Sequence, residues 1–286
     1  MRRLVLSFVT VAVMVTPIAV GAPSAVGAPG DPVYVALGDS LAVGFHPLRG
    51  PTDQGYVDDV WERLHDDIPG LHLRGFGCPG ETTRAMITGA GSACSYEQGS
   101  QLDQAVTFME NRPGDTAFVT IDIGGNDLIG RCFDFGTGIL SRACVIEHLP
   151  RWQQRIGTIV DALRTAAGPG VPVVGMTYYD PFLGLWDLLP GGHELARKSL
   201  RAMLAFDAGL TQAYVDAGAG VADVATTFEI EDFTATDAGV PLNVAITCRW
   251  TWFCTPRFLT DVHPTPVGYR KIGRTFARVI RPMLVP

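Results

Sequence analysis

Residues 33 to 45 read V-Y-V-A-L-G-D-S-L-A-V-G-F. The apolar, β-branched run from Val33 to Leu37 predicts a buried strand, and Gly38 ends that pattern. Ser40 is therefore placed at the carboxyl end of a strand, where open α/β sheets bind their ligands. An ordinary turn followed by a helix N-cap would use the same residues, so this stretch alone does not establish a reactive serine.

The chain beyond Ser40 alternates between predicted strands and helices. We predict strands at 71–76, 116–121, 171–176 and 221–224, and helices at 57–64, 98–111, 151–167, 193–217 and 266–280. This alternation predicts a mostly parallel sheet with helices on both faces, a three-layer α/β/α sandwich. No linker or repeat interrupts residues 29–286, which we expect to form one domain.

The N-terminal residues have the composition of an export signal. Arg2 and Arg3 precede an uncharged apolar run from residue 4 to 20, and small residues follow it. We predict a signal peptide at residues 1–28, removed after Ala22 or Ala28, and a secreted protein. A membrane anchor is the alternative, since the run is only slightly shorter than the ~20 residues that span a bilayer, but no basic stop-transfer cluster follows it.

The charge of the chain excludes some classes of partner. Lys and Arg number 22 against 29 Asp and Glu, for a formal net charge of −7. An acidic chain lacks the basic surface that nucleic acid requires and is not attracted to anionic lipid surfaces. We expect no nucleic-acid partner, no stable membrane insertion, and a monomer.

The six cysteines indicate an oxidising compartment. They fall into three close pairs along the chain, Cys78 with Cys94, Cys132 with Cys144, and Cys248 with Cys254. Six cysteines allow 15 pairings, so the sequence leaves the connectivity open, with local pairing the one we expect. A zinc site is disfavoured because there is no C-x-x-C motif and the histidines do not cluster at ligand spacing.

Four polar or turn-forming residues follow predicted strands or precede the last helix. They are Ser40, Gly80, Asn126 and His263. In a parallel sheet the loops after the strands lie at one edge, so we expect these four residues to converge.

The motifs around them resemble the four blocks of the SGNH hydrolase family, the GDSL esterases and lipases, and in particular its secreted actinobacterial type. G-D-S-L at 38–41, G-E-T-T at 80–83, G-G-N-D at 124–127 and D-V-H-P at 261–264 correspond to the blocks in order. The resemblance extends over residues 33 to 280. It implies the SGNH hydrolase fold, with a flavodoxin-like five-stranded sheet, and an enzyme without a cofactor or metal.

The resemblance also implies a role for each residue. Ser40 would be the nucleophile that forms an acyl-enzyme, and His263 the general base. The oxyanion hole would consist of the backbone N–H groups of Ser40 and Gly80 and the side-chain amide of Asn126. Gly77, in the same loop as Gly80, is the alternative glycine.

The acidic partner of the histidine departs from the family pattern. The family places an aspartate three residues before the histidine, where this chain has Thr260, and Asp261 stands two before it. We expect Asp261 to be the third catalytic residue. The alternative is a serine–histidine dyad in which a backbone carbonyl orients His263. Asp39 and Asp127 are expected to organise turns.

Two apolar loops, at 183–189 and 249–256, favour a lipid or medium-chain acyl ester as the substrate. A carbohydrate acetylesterase or a thioesterase would use the same residues. A noncatalytic secreted binding module is a further alternative. A metal-dependent phosphoesterase would need clustered carboxylates and histidines, of which the chain offers only a partial set around His263.

Overall fold

The computed structural model describes residues 28–256 and 260–284; the predicted signal peptide lies outside them except for Ala28. In these ranges the strands are β1 (Val33–Gly38), β2 (His72–Gly75), β3 (Thr116–Asp122), β4 (Phe133–Asp134), β5 (Ile139–Leu140), β6 (Val173–Met176) and β7 (Gly220–Ala222). The α-helices are α1 (Tyr56–Leu64), α2 (Thr83–Thr88), α3 (Gln101–Glu110), α4 (Gly125–Cys132), α5 (Arg142–Ala167), α6 (Gly192–Asp216), α7 (Val224–Thr227), α8 (Leu242–Trp250) and α9 (Pro266–Ile280). Pro181–Leu185 and Arg281–Met283 form short 3₁₀ helices.

The central sheet has five strands in the order β2-β1-β3-β6-β7, and every neighbouring pair is parallel. This is the flavodoxin-like strand order predicted from the resemblance. The order reverses between β1 and β3, so the crevice at the carboxyl ends of these two strands is the topological switch point, where doubly wound sheets bind ligands. The loops that carry Ser40 and Asn126 follow these two strands.

Helices cover both faces of the sheet, which confirms the three-layer sandwich. On one face α1 packs on α9, with the rings of Tyr56 and Phe276 stacked at 4.8 Å. On the other face α3, α5 and α6 pack side by side. The strand β1 is buried along its whole length, as expected for a central strand between two helical layers.

The structure differs from the sequence-based prediction mainly in short elements and boundaries. Helix α5 begins at Arg142 instead of residue 151, because the Ser141 hydroxyl caps it by accepting the Cys144 N–H at 3.3 Å. Pro150 lies inside this helix, although proline usually marks a helix start. The helices α2, α4 and α7 and the β4–β5 hairpin were not predicted, since each is too short to show a clear periodicity. Helix α8 is as long as α1 but was not predicted, because its apolar residues do not lie on one face.

Three disulfide bonds join Cys78 to Cys94, Cys132 to Cys144, and Cys248 to Cys254. The predicted local pairing is therefore confirmed, and each bond closes one loop. No helix within 28–256 or 260–284 is long and apolar enough to cross a membrane.

Candidate active site

The turn that carries Ser40 is held by the side chain of Gln101 from helix α3. Gly38 donates its N–H to Gln101 Oε1 at 2.8 Å and accepts from Gln101 Nε2 at 3.0 Å. A side chain on Gly38 would overlap the Asp122 carboxylate, and its φ of +152° favours glycine. Asp39 Oδ1 accepts the Leu41 N–H at 2.9 Å, so Asp39 organises the turn as predicted.

Ser40 and His263 are in hydrogen-bonding contact, although 223 positions separate them in the chain. His263 Nε2 lies 2.9 Å from Ser40 Oγ. On the other side of the ring, His263 Nδ1 lies 2.9 Å from Asp261 Oδ1. The side chains of His263 and Asp261 are 16% and 22% exposed, so the pair lies at the edge of the protein interior. The structure thus places a carboxylate, and not a backbone carbonyl, beside Nδ1.

Asp261 reaches the histidine from its unusual position through a local turn. Its Oδ1 also accepts the backbone N–H of His263 at 2.9 Å, which is an Asx turn between residues two apart. Thr260, where the family pattern expects the aspartate, has a left-handed backbone with φ of 69° and donates its N–H to the Phe253 carbonyl at 3.1 Å. Thr260 therefore shapes the chain that leads into Asp261.

Asn126 connects the loops that follow three strands. It lies in the first turn of α4, and its Nδ2 donates to Asp39 Oδ2 at 2.9 Å and to the Glu81 carbonyl at 3.0 Å. Asp39 directly precedes Ser40 and Gly80 directly precedes Glu81, so Asn126 contacts a chain neighbour of each of the other two predicted oxyanion donors. Among the described residues, the N–H groups of Ser40 and Gly80 meet no acceptor.

The two candidate glycines of the loop after β2 have different surroundings. Gly80 is exposed, has φ of +79°, and would have open space around a side chain. A Cβ on Gly77 would lie 2.7 Å from the Cβ of Ala42, so Gly77 is needed for close packing against the turn of Ser40. The structure therefore gives Gly77 a packing role and leaves Gly80 accessible.

Asp127 has the structural role predicted for it. Its carboxylate accepts the N–H of Thr83 and the hydroxyl of Thr83, both at 2.7 Å, at the start of α2. Arg155 Nη1 lies 3.6 Å from the same carboxylate. Asp127 therefore joins α4 to the segment after Gly80 and holds both in place.

A buried polar network under the site was missed by the sequence analysis. Asp122, at the end of β3, accepts the Tyr56 hydroxyl at 2.6 Å and the Asp39 N–H at 3.1 Å. Burial raises the pKa of Asp122 well above its ordinary value, and the neighbouring Asp39 raises it further. Burial also raises the pKa of Asp39. Only the position of Asp122 after a buried strand hinted at this role, and nothing in the sequence singled out Gln101 or Tyr56.

Aromatic residues surround the loop of His263. The rings of Phe45 and His263 lie 4.5 Å apart, and the Tyr179 hydroxyl donates to the Val262 carbonyl at 2.7 Å. Trp252 donates its backbone N–H to the His263 carbonyl at 2.9 Å and has His46 against its ring at 5.1 Å. No motif in the sequence indicated that His46 lies near the site. Phe45 therefore packs against the imidazole, while Tyr179 and Trp252 hold the backbone that carries it.

The fold and the family comparison place the chain among the SGNH-type hydrolases. Residues 36–271 match the model of the GDSL-like lipase/acylhydrolase family, and the chain belongs to that family. The resemblance to the SGNH and GDSL hydrolases is thereby confirmed at the level of the family, and the secreted actinobacterial type stays a prediction. A search of curated proteins found no match.

Several solved structures share the fold. The extracellular lipase from Streptomyces rimosus is 20% identical with a TM-score of 0.54, over 88% of this chain and 99% of the lipase. Phospholipase A1 from Streptomyces albidoflavus NA297 is 18% identical with a TM-score of 0.52, over 88% of this chain and 99% of the phospholipase. A putative GDSL-like lipase from Parabacteroides merdae is 12% identical with a TM-score of 0.54, over 88% of this chain and 96% of that lipase.

Proposed function

We propose that the protein is a secreted serine esterase or lipase that hydrolyses carboxylic esters, with lipid or medium-chain acyl esters preferred. The observation that carries this proposal is the line of contacts from Ser40 Oγ to His263 Nε2 and from His263 Nδ1 to Asp261 Oδ1, each 2.9 Å long. Nucleophile, base and orienting acid in this order are the arrangement that activates a serine hydroxyl.

In the proposed reaction Ser40 Oγ attacks the ester carbonyl carbon while His263 Nε2 takes the hydroxyl proton. Asp261 stabilises the imidazolium that results. The tetrahedral intermediate collapses to an acyl-enzyme, and the alkoxide leaves as an alcohol with the proton from His263. A water molecule then attacks the acyl-enzyme carbonyl while His263 takes one of its protons; the second tetrahedral intermediate collapses with cleavage of the bond to Ser40 Oγ, His263 returns the proton to Oγ, and the acid is released.

The negative charge on the former carbonyl oxygen would be met by the N–H groups of Ser40 and Gly80 and by the amide of Asn126. One such donor typically lowers the barrier by about 2.7 to 4 kcal/mol. The two N–H groups of Asn126 Nδ2 donate to Asp39 Oδ2 and to the Glu81 carbonyl, so one of these bonds must be shared or released when the charge develops. The position of this amide beside residues that adjoin Ser40 and Gly80 supports its assignment as a donor.

The preference for lipid or medium-chain esters is supported by the apolar surroundings of the histidine. Phe45 and Trp252 contact the His263 loop, and both carry large apolar surfaces. Two structures with the same fold bear the names lipase and phospholipase A1. Secretion is supported by the residues predicted as a signal peptide and by the three disulfide bonds.

The test is hydrolysis of p-nitrophenyl esters from acetyl to palmitoyl, with EDTA present, by the protein without residues 1–28. We expect activity on medium or long chains, a loss of at least about 10⁴-fold in Ser40→Ala, and no change in Ser95→Ala, which removes an exposed hydroxyl. A fluorophosphonate should label the wild type and not Ser40→Ala.

Each other result changes the assignment in a defined way. An optimum at acetyl would indicate a carbohydrate or small-ester deacetylase, and a strong preference for thioesters would indicate a thioesterase. Full activity in Ser40→Ala, or no hydrolysis of any ester, would refute the proposal.

A further inference from the structure

A cavity of about 310 Å³, open on one side, is lined by residues outside the site described above. The lining comes from residues 184–188, residues 236–245 and the disulfide bond between Cys248 and Cys254. Most of the lining is aliphatic or sulfur, including Leu188, Val240, Val244, Ala245, Cys248 and Cys254.

The walls of the cavity are fixed by the fold. A Cβ on Gly184 would lie 2.5 Å from a ring carbon of Phe253 and 2.8 Å from Cys254 Sγ, so only glycine lets the disulfide loop pack on this segment. Helix α8 is anchored by Asn243, whose Nδ2 donates to the Ile230 carbonyl at 2.8 Å. A preformed apolar cavity loses less conformational entropy when it binds a ligand than a mobile one would.

The cavity reaches the surface among exposed apolar side chains. Leu188 lines the cavity and is itself 36% exposed, and Leu189 beside it is 46% exposed. The β4–β5 hairpin lies next to Leu189, since a Cβ on Gly138 would be 3.9 Å from its Cδ1, and this hairpin carries Phe135, which is 78% exposed. An aliphatic chain therefore meets apolar surface both outside and inside the cavity.

We propose that this cavity binds one unbranched aliphatic chain of about ten carbons, with an uncharged head group at the mouth. The length follows from the volume of 310 Å³, because an apolar cavity of about 150 Å³ binds benzene with its six carbons, and twice that volume holds about ten to twelve carbons. Asp187 is the one ionisable residue of the described lining, and its side chain is 66% exposed. Its Oδ1 lies 3.8 Å from His193 Nε2, and no lysine or arginine belongs to the described lining. The mouth therefore offers a fatty-acid carboxylate no cation except this paired histidine, so an alcohol or ester is preferred.

The test is calorimetric titration of the oxidised Ser40→Ala protein with 1-decanol and with decanoate at pH 8. We expect one site for decanol and at least tenfold weaker binding of decanoate, with the difference reduced in Asp187→Asn. Ala245→Trp, which fills the cavity from α8, should weaken decanol binding at least tenfold. Ala143→Trp, an exposed position on α5, should not change it.

The proposal is refuted if decanol does not bind, or if it binds Ala245→Trp with unchanged affinity while circular dichroism shows the variant folded. Ala238→Trp, at an exposed position of the lining, is the second blocking variant if Ala245→Trp does not fold. Because the titration uses a protein without Ser40, its outcome does not depend on the proposed esterase activity.

Hydrolysis by the Ala245→Trp variant with Ser40 intact shows whether the aliphatic chain in the cavity belongs to the substrate or to a separate lipid molecule. If the cavity holds the acyl chain of the substrate, KM for the p-nitrophenyl ester of decanoic acid rises and KM for the acetate does not. If both KM values stay unchanged while decanol binding is lost, the chain belongs to a separate lipid molecule. Either result supports the cavity as a site for aliphatic chains.

Discussion

Replacing Asp261 by asparagine should cost much less activity than is usual for the acid of a catalytic triad. In serine proteases this exchange lowers kcat about 10⁴-fold, because the new amide lets the histidine adopt the wrong tautomer. Here Oδ1 of Asp261 accepts both the backbone N–H and Nδ1 of His263, each at 2.9 Å. An asparagine amide must point its oxygen toward the backbone N–H, and the same oxygen then accepts the Nδ1 proton. The correct tautomer is retained, and only the negative charge is lost.

The size of the effect follows from the difference between a charged and a neutral hydrogen bond. The net contribution of a hydrogen bond to a charged group is about 1.5–3 kcal/mol, against about 0.5–1.5 kcal/mol for a neutral pair. The loss of about 1–2 kcal/mol of imidazolium stabilisation corresponds to roughly 5- to 30-fold in kcat/KM. Asp261→Ala removes the acceptor as well and should lose about 10³- to 10⁴-fold.

The assay is kcat/KM for p-nitrophenyl butyrate between pH 6 and 10. The control is Asp237→Asn, which removes the same charge from an exposed residue. Equal losses in Asp261→Asn and Asp261→Ala would refute the argument that the Asx turn holds the acceptor in place. Wild-type activity in Asp261→Ala would show that Ser40 and His263 act as a dyad.

Three further predictions concern the oxyanion site, the turn before Ser40 and a buried carboxyl group. Asn126→Ala should lower kcat by about 10²- to 10³-fold with KM little changed, as steady-state kinetics would show; an unchanged kcat contradicts the donor role. Gly38→Ala should lower the free energy of unfolding in urea by about 2–4 kcal/mol, because its Cβ would overlap Asp122. Gly130→Ala, a helical position with open space, should instead stabilise by about 0.5–1 kcal/mol. Burial raises the pKa of Asp180 to about 7, so the folded protein holds a proton that the unfolded chain releases, and stability falls as pH rises from about 4 to 7. Between pH 5 and 8 the free energy of unfolding should fall by about 2–3 kcal/mol less in Asp180→Asn than in the wild type. An equal pH dependence of the unfolding free energy in both proteins would contradict this.

The sequence by itself determined the layers of the fold and the positions of the main site residues. The apolar run at Val33–Leu37 and its counterparts mark buried strands, because strands covered on both faces consist almost wholly of apolar residues. Glycine and polar residues directly after these runs mark the loops at the carboxyl edge, where Ser40 and Asn126 lie. The close spacing of the cysteines along the chain likewise favoured the pairing that the structure shows. All of these features depend on neighbouring residues, so they can be read from local patterns.

The tertiary structure alone decided which distant side chains support the site. Gln101 holds Gly38 across 63 positions, and Tyr56 reaches Asp122 across 66. Neither residue stands in a motif, because its role depends on where α1 and α3 pack and not on its neighbours in sequence. The sequence placed Asp261 near His263 but left open whether its carboxylate or a backbone carbonyl meets Nδ1, and the backbone torsions of one turn decided this in favour of the carboxylate. The cavity beside Cys248 and Cys254 is likewise a product of packing, since its volume is the space left between segments that only the folded chain brings together.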